Sequence, residues 1–200
     1  SAGGPLSIHV AETQAENEFY GCGRGPIHKA YQAAGIDFEV PRTTAIGYLD
    51  KLGALSAKTQ LVHVCAATAS DIELIAERGC SVAHWPRSNE ALGCPTAPIG
   101  GLLDAGVRVG LGMDSAASSG MIDMFAEMRE AVAISARTRR PLTAEEVWRM
   151  AIDTTTLPFL PSNAIEVASK PEATLVKSKP GFDALLHATP RDLRPVCECL

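Results

Sequence analysis

The chain has 200 residues, a formal net charge of -5 with histidine neutral, and 46% hydrophobic but only 5% aromatic residues. A chain of that length buries one sizeable aliphatic core, and its acidic balance argues against nucleic acid or an anionic membrane as a partner. No apolar run reaches the roughly 20 residues of a membrane span, and the N-terminus lacks the basic and long apolar regions of a secretory signal.

Residues 6–10 read as a short buried strand, with a helix entered directly after it over 12–19. Gly21, Gly23, Gly25 and Pro26 mark a loop before a helix over 27–34. Pro41, Thr43 and Thr44 introduce an amphipathic stretch through Leu52, in which Ile46, Leu49 and Leu52 form the expected buried stripe. The second strand is 60–64. Thr68 or Ser70 caps the next helix, which stops at Gly79. Residues 80–84 form the third strand, a helix over 97–105 ends at Gly106, and 107–111 form the fourth strand. This alternation argues for parallel βα units joined by crossover helices. A long helix follows over 122–136, with Arg137, Arg139 and Arg140 as its charged end. Thr143 caps another helix through about residue 153, with Glu146 three positions after the cap. Pro158 and Pro161 end the regularity, and 173–176 and 182–186 are candidate strands of a small accessory sheet.

Cys22, Cys65, Cys80 and Cys94 are scattered through a core-rich chain that needs no staples, which points to a reducing cytoplasm. Cys197 and Cys199 form only a C-x-C, without the second pair that a structural zinc site requires.

Four strings stand where apolar runs give way to polar residues. They are His9-Val10-Ala11-Glu12, Val62-His63-Val64, Ala83-His84-Trp85-Pro86-Arg87-Ser88-Asn89 and Gly110-Leu111-Gly112-Met113-Asp114-Ser115. In parallel βα units such ends share one rim, so His9, His63, Glu12 and Asp114 gather there. Imidazole nitrogen and carboxylate oxygen both suit zinc or ferrous iron, and Glu12 can stay outside the ligand set as a proton carrier.

Each residue also has a plainer reading. His9 alone is more often a satisfied core or loop histidine, and His63 a buried polar group satisfied by backbone. Glu12 suits the first turn of a helix, where the dipole favours an acid. Asp114 suits an N-cap, a role open also to Ser115 and Ser118. Arg87 reads equally as a solvated loop charge and Asn89 as a turn residue. Trp85 stacks a planar ring or packs on the rim with equal weight, and His28 and His187 have no comparable companions. The string Gly21-Cys22-Gly23-Arg24-Gly25 lacks the strand-to-helix context of a phosphate-cradling loop.

In their order and intervals, over approximately residues 5–155, the four strings resemble the amidohydrolase superfamily, especially its deaminase and chlorohydrolase branch. The resemblance implies an α/β fold, the C-terminal half of a distorted (β/α)8 TIM-like barrel. His9 would end strand five, His63 strand six and Asp114 strand eight, with Arg87, Ser88 and Asn89 following strand seven. It implies one divalent metal, Zn2+ first and Fe2+ as the alternative, held by His9 and Asp114. Catalytic roles pass to Glu12 as proton carrier, His63 as polariser of water or substrate, and Asp114. Substrate contacts are expected from Trp85, Arg87, Ser88 and Asn89.

The family's H-x-H pair at the end of strand one occurs nowhere in these 200 residues. The expectation is that an upstream segment carries it, with 1–157 a partial barrel and 158–200 an accessory segment. Pro180-Gly181-Phe182-Asp183-Ala184-Leu185 loosely resembles the returning strand of the family's flanking β-sandwich. The chain alone is then expected to hold metal poorly and to be inactive.

The implied reaction is deamination of an aminated purine, pyrimidine or related heterocycle. Glu12 accepts a proton from the attacking water and returns it to the leaving nitrogen. Chloride displacement and cyclic-amide hydrolysis are the near alternatives. A metal-free interaction or regulatory protein is the alternative from another class. The expected partner is a small heterocyclic substrate, with self-association left open.

Overall fold

The structure is a computed structural model that describes residues 4–152, 156, 174–176 and 193–195. Strands β1 (Leu6–Val10), β2 (Thr59–His63), β3 (Ser81–His84) and β4 (Arg108–Leu111) form one sheet in the order β1-β2-β3-β4. Every pairing is parallel, so each connection must cross over, and helices make the crossings. The alternation read from the sequence is therefore the architecture.

The register sorts the two faces. Ile8 lies opposite Leu61, Leu61 opposite Val82 and Val82 opposite Val109, a row that packs into the apolar core with Ile75 and Leu102. Ser7, Gln60 and Ser81 form the row on the opposite face. Ser7 Oγ donates to Gln60 Oε1 at 3.1 Å, and Gln60 Nε2 and Ser81 Oγ both donate to the Thr156 carbonyl, at 3.0 and 2.6 Å. One face is thus aliphatic and the other carries a hydrogen-bonded polar seam.

Between β1 and β2 lie α1 (Gln14–Cys22), α2 (Gly25–Ala33) and α3 (Ala45–Lys51). Thr44 caps α3 by accepting the Gly47 N–H at 3.0 Å. Leu52 falls beyond the last turn and is 61% exposed, so the expected apolar stripe ends at Leu49. Helix α4 (Ala69–Arg78) opens with a reciprocal Thr68–Asp71 capping box and closes at Gly79, whose φ of 68° suits glycine.

Helix α5 (Pro86–Ala91) was not anticipated from the sequence, and α7 (Ala116–Ser119) is a short helix of its own, separate from the long one expected over 122–136. Helix α6 (Ile99–Asp104) precedes β4, and α8 (Met124–Ser135) starts at Asp123, whose carboxylate accepts the Ala126 N–H at 3.0 Å. Thr143 and Glu146 form the expected reciprocal cap of α9 (Ala144–Ile152).

Strands β5 (Thr174–Val176) and β6 (Leu193–Pro195) pair antiparallel, the first within the expected 173–176. The strand expected over 182–186, together with Pro158, Pro161, His187, Cys197 and Cys199, lies outside the described residues. Cys22, Cys65, Cys80 and Cys94 are free thiols. Among the described residues no helix is long and apolar enough to cross a membrane.

Candidate metal centre

The parallel register puts His9, His63 and His84 at the carboxyl ends of adjacent strands, with Glu12 and Asp114 in the turns that follow. The loop after β1 is organised by Glu16. Its carboxylate accepts the backbone N–H groups of Ala11, Glu12 and Thr13 at 2.7, 2.7 and 3.0 Å, holding Ala11 at a φ of 49°. Thr13 is the N-cap of α1, so the helix begins at Gln14 rather than at Glu12. Glu12 is therefore not a first-turn acid, and the dipole account of it lapses. The spacing Thr13-x-x-Glu16 is the local signal that could have placed this boundary.

His63 is held by strained backbone. Its φ is 74°, and Val64 follows at 46°, a left-handed conformation that a β-branched residue adopts only at a cost of order 1–3 kcal/mol. Return bonds fix the bend: Val64 N–H donates to the Val10 carbonyl at 3.2 Å and Ala66 N–H to Ala11 at 2.7 Å. The His63 ring has no solvent exposure. Its Nδ1 lies 2.7 Å from Asn89 Oδ1, and its Nε2 lies 3.0 Å from His9 Nδ1 and 3.6 Å from Glu12 Oε1. Donor atoms of His9, Glu12 and His63 all lie within 4.8 Å of one another, an arrangement able to hold a metal ion. Cys94, which sequence reasoning passed over, points its thiol at Glu12 Oε1 from 4.0 Å.

Helix α5 supports this group. Trp85 is its N-cap but supplies no side-chain cap, and Pro86 occupies the first turn. The missing acceptor comes from α8: Glu127 Oε2 accepts the Arg87 N–H at 3.1 Å, and the Arg87 guanidinium lies 3.6 Å from Glu127 Oε1. Arg87 Nη1 also donates to the Met121 carbonyl at 3.0 Å, so Arg87 is not a solvated loop charge. Burial pushes the Glu127 carboxyl up, while the Arg87 N–H and guanidinium oppose it. Ser88 and Asn89 are buried on this helix, so Asn89 is not a turn residue. The Trp85 ring stands edge-on to His9 and His63, with centroids 5.1 and 4.9 Å away. It also borders a cavity of about 240 Å³ lined by Gln60, Gly110, Gly112 and Met150.

Asp114 lies on the same rim but outside the three-residue donor cluster. Ser88 Oγ donates to its Oδ2 at 2.8 Å and Ser118 Oγ at 3.2 Å. Burial pushes its carboxyl up, but hydrogen bonds from Ser88, the Ser115 N–H and Ser118 outweigh that and hold it below the usual range. Ser115, not Asp114, is the N-cap of α7. His84 is buried, and burial, reinforced by the neighbouring His63, pushes it down to about 3, so it is neutral at physiological pH.

Sequence relatives extend beyond the geometry. The chain is 38% identical over 134 residues to the aminodeoxyfutalosine deaminase of Deinococcus radiodurans, covering 62% of this chain and 32% of the relative. It is 47% identical over 89 residues to the 5-methylthioadenosine/S-adenosylhomocysteine deaminase of Haloarcula marismortui, covering 44% of this chain and 21% of that protein. Among solved structures, an adenosine deaminase from Xanthomonas campestris with bound zinc superposes with a TM-score of 0.62 at 29% identity, over 78% of this chain and 33% of that one. The chain spans about a third or less of the length of these proteins. Residues 2–151 match the model of the amidohydrolase family, and with the parallel βα sheet and its rim of histidines and carboxylates this places the chain in that family.

Proposed function

We propose that this chain carries the proton-transfer half of a zinc-dependent deaminase that acts on an aminated heterocycle of the adenosine class. The observation that carries the reading is the convergence of His9, Glu12 and His63 at one strand rim. Imidazole nitrogen and carboxylate oxygen gathered on one rim suit zinc, with ferrous iron as the alternative. His9 and Asp114 would hold the ion, Asp114 being aimed by Ser88. No H-x-H occurs in these 200 residues, so the ligands proposed from this chain are His9 and Asp114 alone.

When bound, such an ion supplies Lewis acidity toward water and substrate. Glu12 takes the proton released as water attacks the ring carbon and delivers it to the departing nitrogen. Its backbone, pinned by Glu16, keeps the carboxylate at a fixed place relative to His63. Trp85 borders the open cavity and is the side chain suited to meet a planar ring. Ser88 and Asn89 turn inward to Asp114 and His63, so they orient the site rather than touch the substrate.

The test is ammonia release from 5′-methylthioadenosine, S-adenosylhomocysteine and adenosine by the full translation product that contains this chain, loaded with zinc. Glu12→Gln should lower turnover by at least about 10²-fold while zinc content stays near that of the parent. Near-parent turnover in Glu12→Gln would remove the proton-carrier role. Chloride release from chlorinated rings without ammonia from any aminated one would replace the deaminase reading with a dehalogenating one.

A further inference from the structure

Asn17 is half-buried in the first turn of α1, one residue after Glu16. Its Nδ2 donates to the Ala66 carbonyl at 2.8 Å, and its Oδ1 accepts the Ala45 N–H at 3.2 Å. A carbonyl only accepts and a peptide N–H only donates, so these two partners fix a single orientation of the amide. Ala45 opens α3, where the first N–H groups of a helix have no partner within it, and Ala66 stands three residues after His63. These contacts complete a ring of hydrogen bonds around the rim. Glu16 holds the Ala11 N–H, the Ala11 carbonyl accepts the Ala66 N–H at 2.7 Å, and the Ala66 carbonyl returns to Asn17.

Ala11 belongs to that ring, and the left-handed residues His63 and Val64 lie three and two residues before Ala66. Strained backbone of this kind persists only where its surroundings over-determine it. The bend at His63 is held upstream by the pairing of β1 with β2 and by the bond from Val64 N–H to Val10. Downstream it is fastened to α1 by Asn17. We infer that Asn17 is a positioning residue: it ties the segment after His63 to the helix whose Glu16 pins the segment of Glu12, and so keeps the His63 ring and the Glu12 carboxylate at a fixed spacing. The inference deepens the deaminase reading and rests on it for the roles of Glu12 and His63. Glu12 Oε1 and His63 Nε2 are 3.6 Å apart, a separation that a shift of the bend changes directly. A displacement approaching 1 Å between reacting groups lowers turnover by up to about 10²-fold.

The test is Asn17→Asp in the full translation product that contains this chain, loaded with zinc. Aspartate keeps an acceptor for the Ala45 N–H and loses the donor to the Ala66 carbonyl. Turnover of whichever nucleoside the parent deaminates should fall about 10–100-fold, with KM and zinc content within about twofold of the parent. Without substrate, amide hydrogen exchange should speed at least about 10-fold over residues 64–67 and stay at the parent rate over α4. Parent turnover, or parent exchange over 64–67, overturns the inference. So does acceleration that extends equally to α4, or a loss of zinc in step with turnover, since either makes Asn17 a general support of the fold. If the variant does not fold, NMR of the parent decides: the Asn17 side-chain amide must be protected from exchange, and an amide exchanging at the free rate overturns the inference. Because exchange is read without substrate, failure to release ammonia removes the deaminase reading alone, whereas parent exchange in an active Asn17→Asp enzyme removes the positioning role alone.

Discussion

Gly112 offers a direct way to move the site without touching a candidate ligand. It follows β4, and its φ is not in the left-handed region, so alanine meets no backbone penalty there. A Cβ at this position would lie 2.6 Å from Trp85 Nε1 and 3.0 Å from Cδ1, about 0.8 Å short of ordinary contact with the first. The indole cannot yield freely, because it also packs edge-on against the His9 and His63 rings at centroid distances of 5.1 and 4.9 Å. Gly112→Ala should therefore cost about 1–3 kcal/mol as an overpacking change. A shift of the site approaching 1 Å should also lower turnover of the full protein by up to about 10²-fold. Urea denaturation reads the first effect. Emission from Trp85 reads the displacement, and since the chain has two tryptophans it is followed in a Trp148→Phe background. Stability within about 0.5 kcal/mol of the parent together with unchanged Trp85 emission would refute the claim that Trp85 is held tightly by Gly112 and the two histidines.

Glu127→Ala withdraws the acceptor of the Arg87 N–H and should destabilise the chain by about 1–3 kcal/mol in denaturant titration. Glu127→Gln, which keeps an acceptor oxygen, should cost less, and equal losses would show that the capping bond is not the cause. His84 titrates near 3 when folded and near 6.5 when unfolded, so the unfolded chain binds the extra proton between those values. Its contribution to stability is thus present above about pH 6.5 and lost as pH falls toward about 3, with a slope of up to about 1.4 kcal/mol per pH unit. His84→Met should flatten the dependence of the urea midpoint over that window, and parallel curves for parent and variant would contradict the burial argument.

The strands were legible because each is a short run with at least one β-branched residue that gives way to loop residues at its end, and these signals are local. Thr68, Gly79 and the Thr143–Glu146 pair marked helix ends correctly for the same reason. Helix α5 was not legible, because its N-terminal acceptor, Glu127, lies 40 residues further along the chain and Trp85-Pro86 carries no polar cap of its own. Glu127 itself looks in sequence like any acid near the start of a helix, and only its complete burial marks it out. The rim residues His9, Glu12, His63 and Asp114 could be chosen from strand ends. The division of labour between those that meet at the site and those, such as Ser88 and Asn89, that stand behind it depends on contacts across 26 residues of chain.

Helix α5 concentrates those contacts in one short piece. Ser88 holds Asp114, the adjacent Asn89 holds His63, and Trp85 at the helix entrance touches both histidine rings. A displacement of the helix moves all three attachments together, so substitutions at 85, 88 and 89 do not act as independent events. Their effects should combine with strong coupling, a double variant at 88 and 89 losing little more than the worse single one. Coupling of that kind predicts that a replacement at one of these positions is better tolerated where another position on the same helix has already changed.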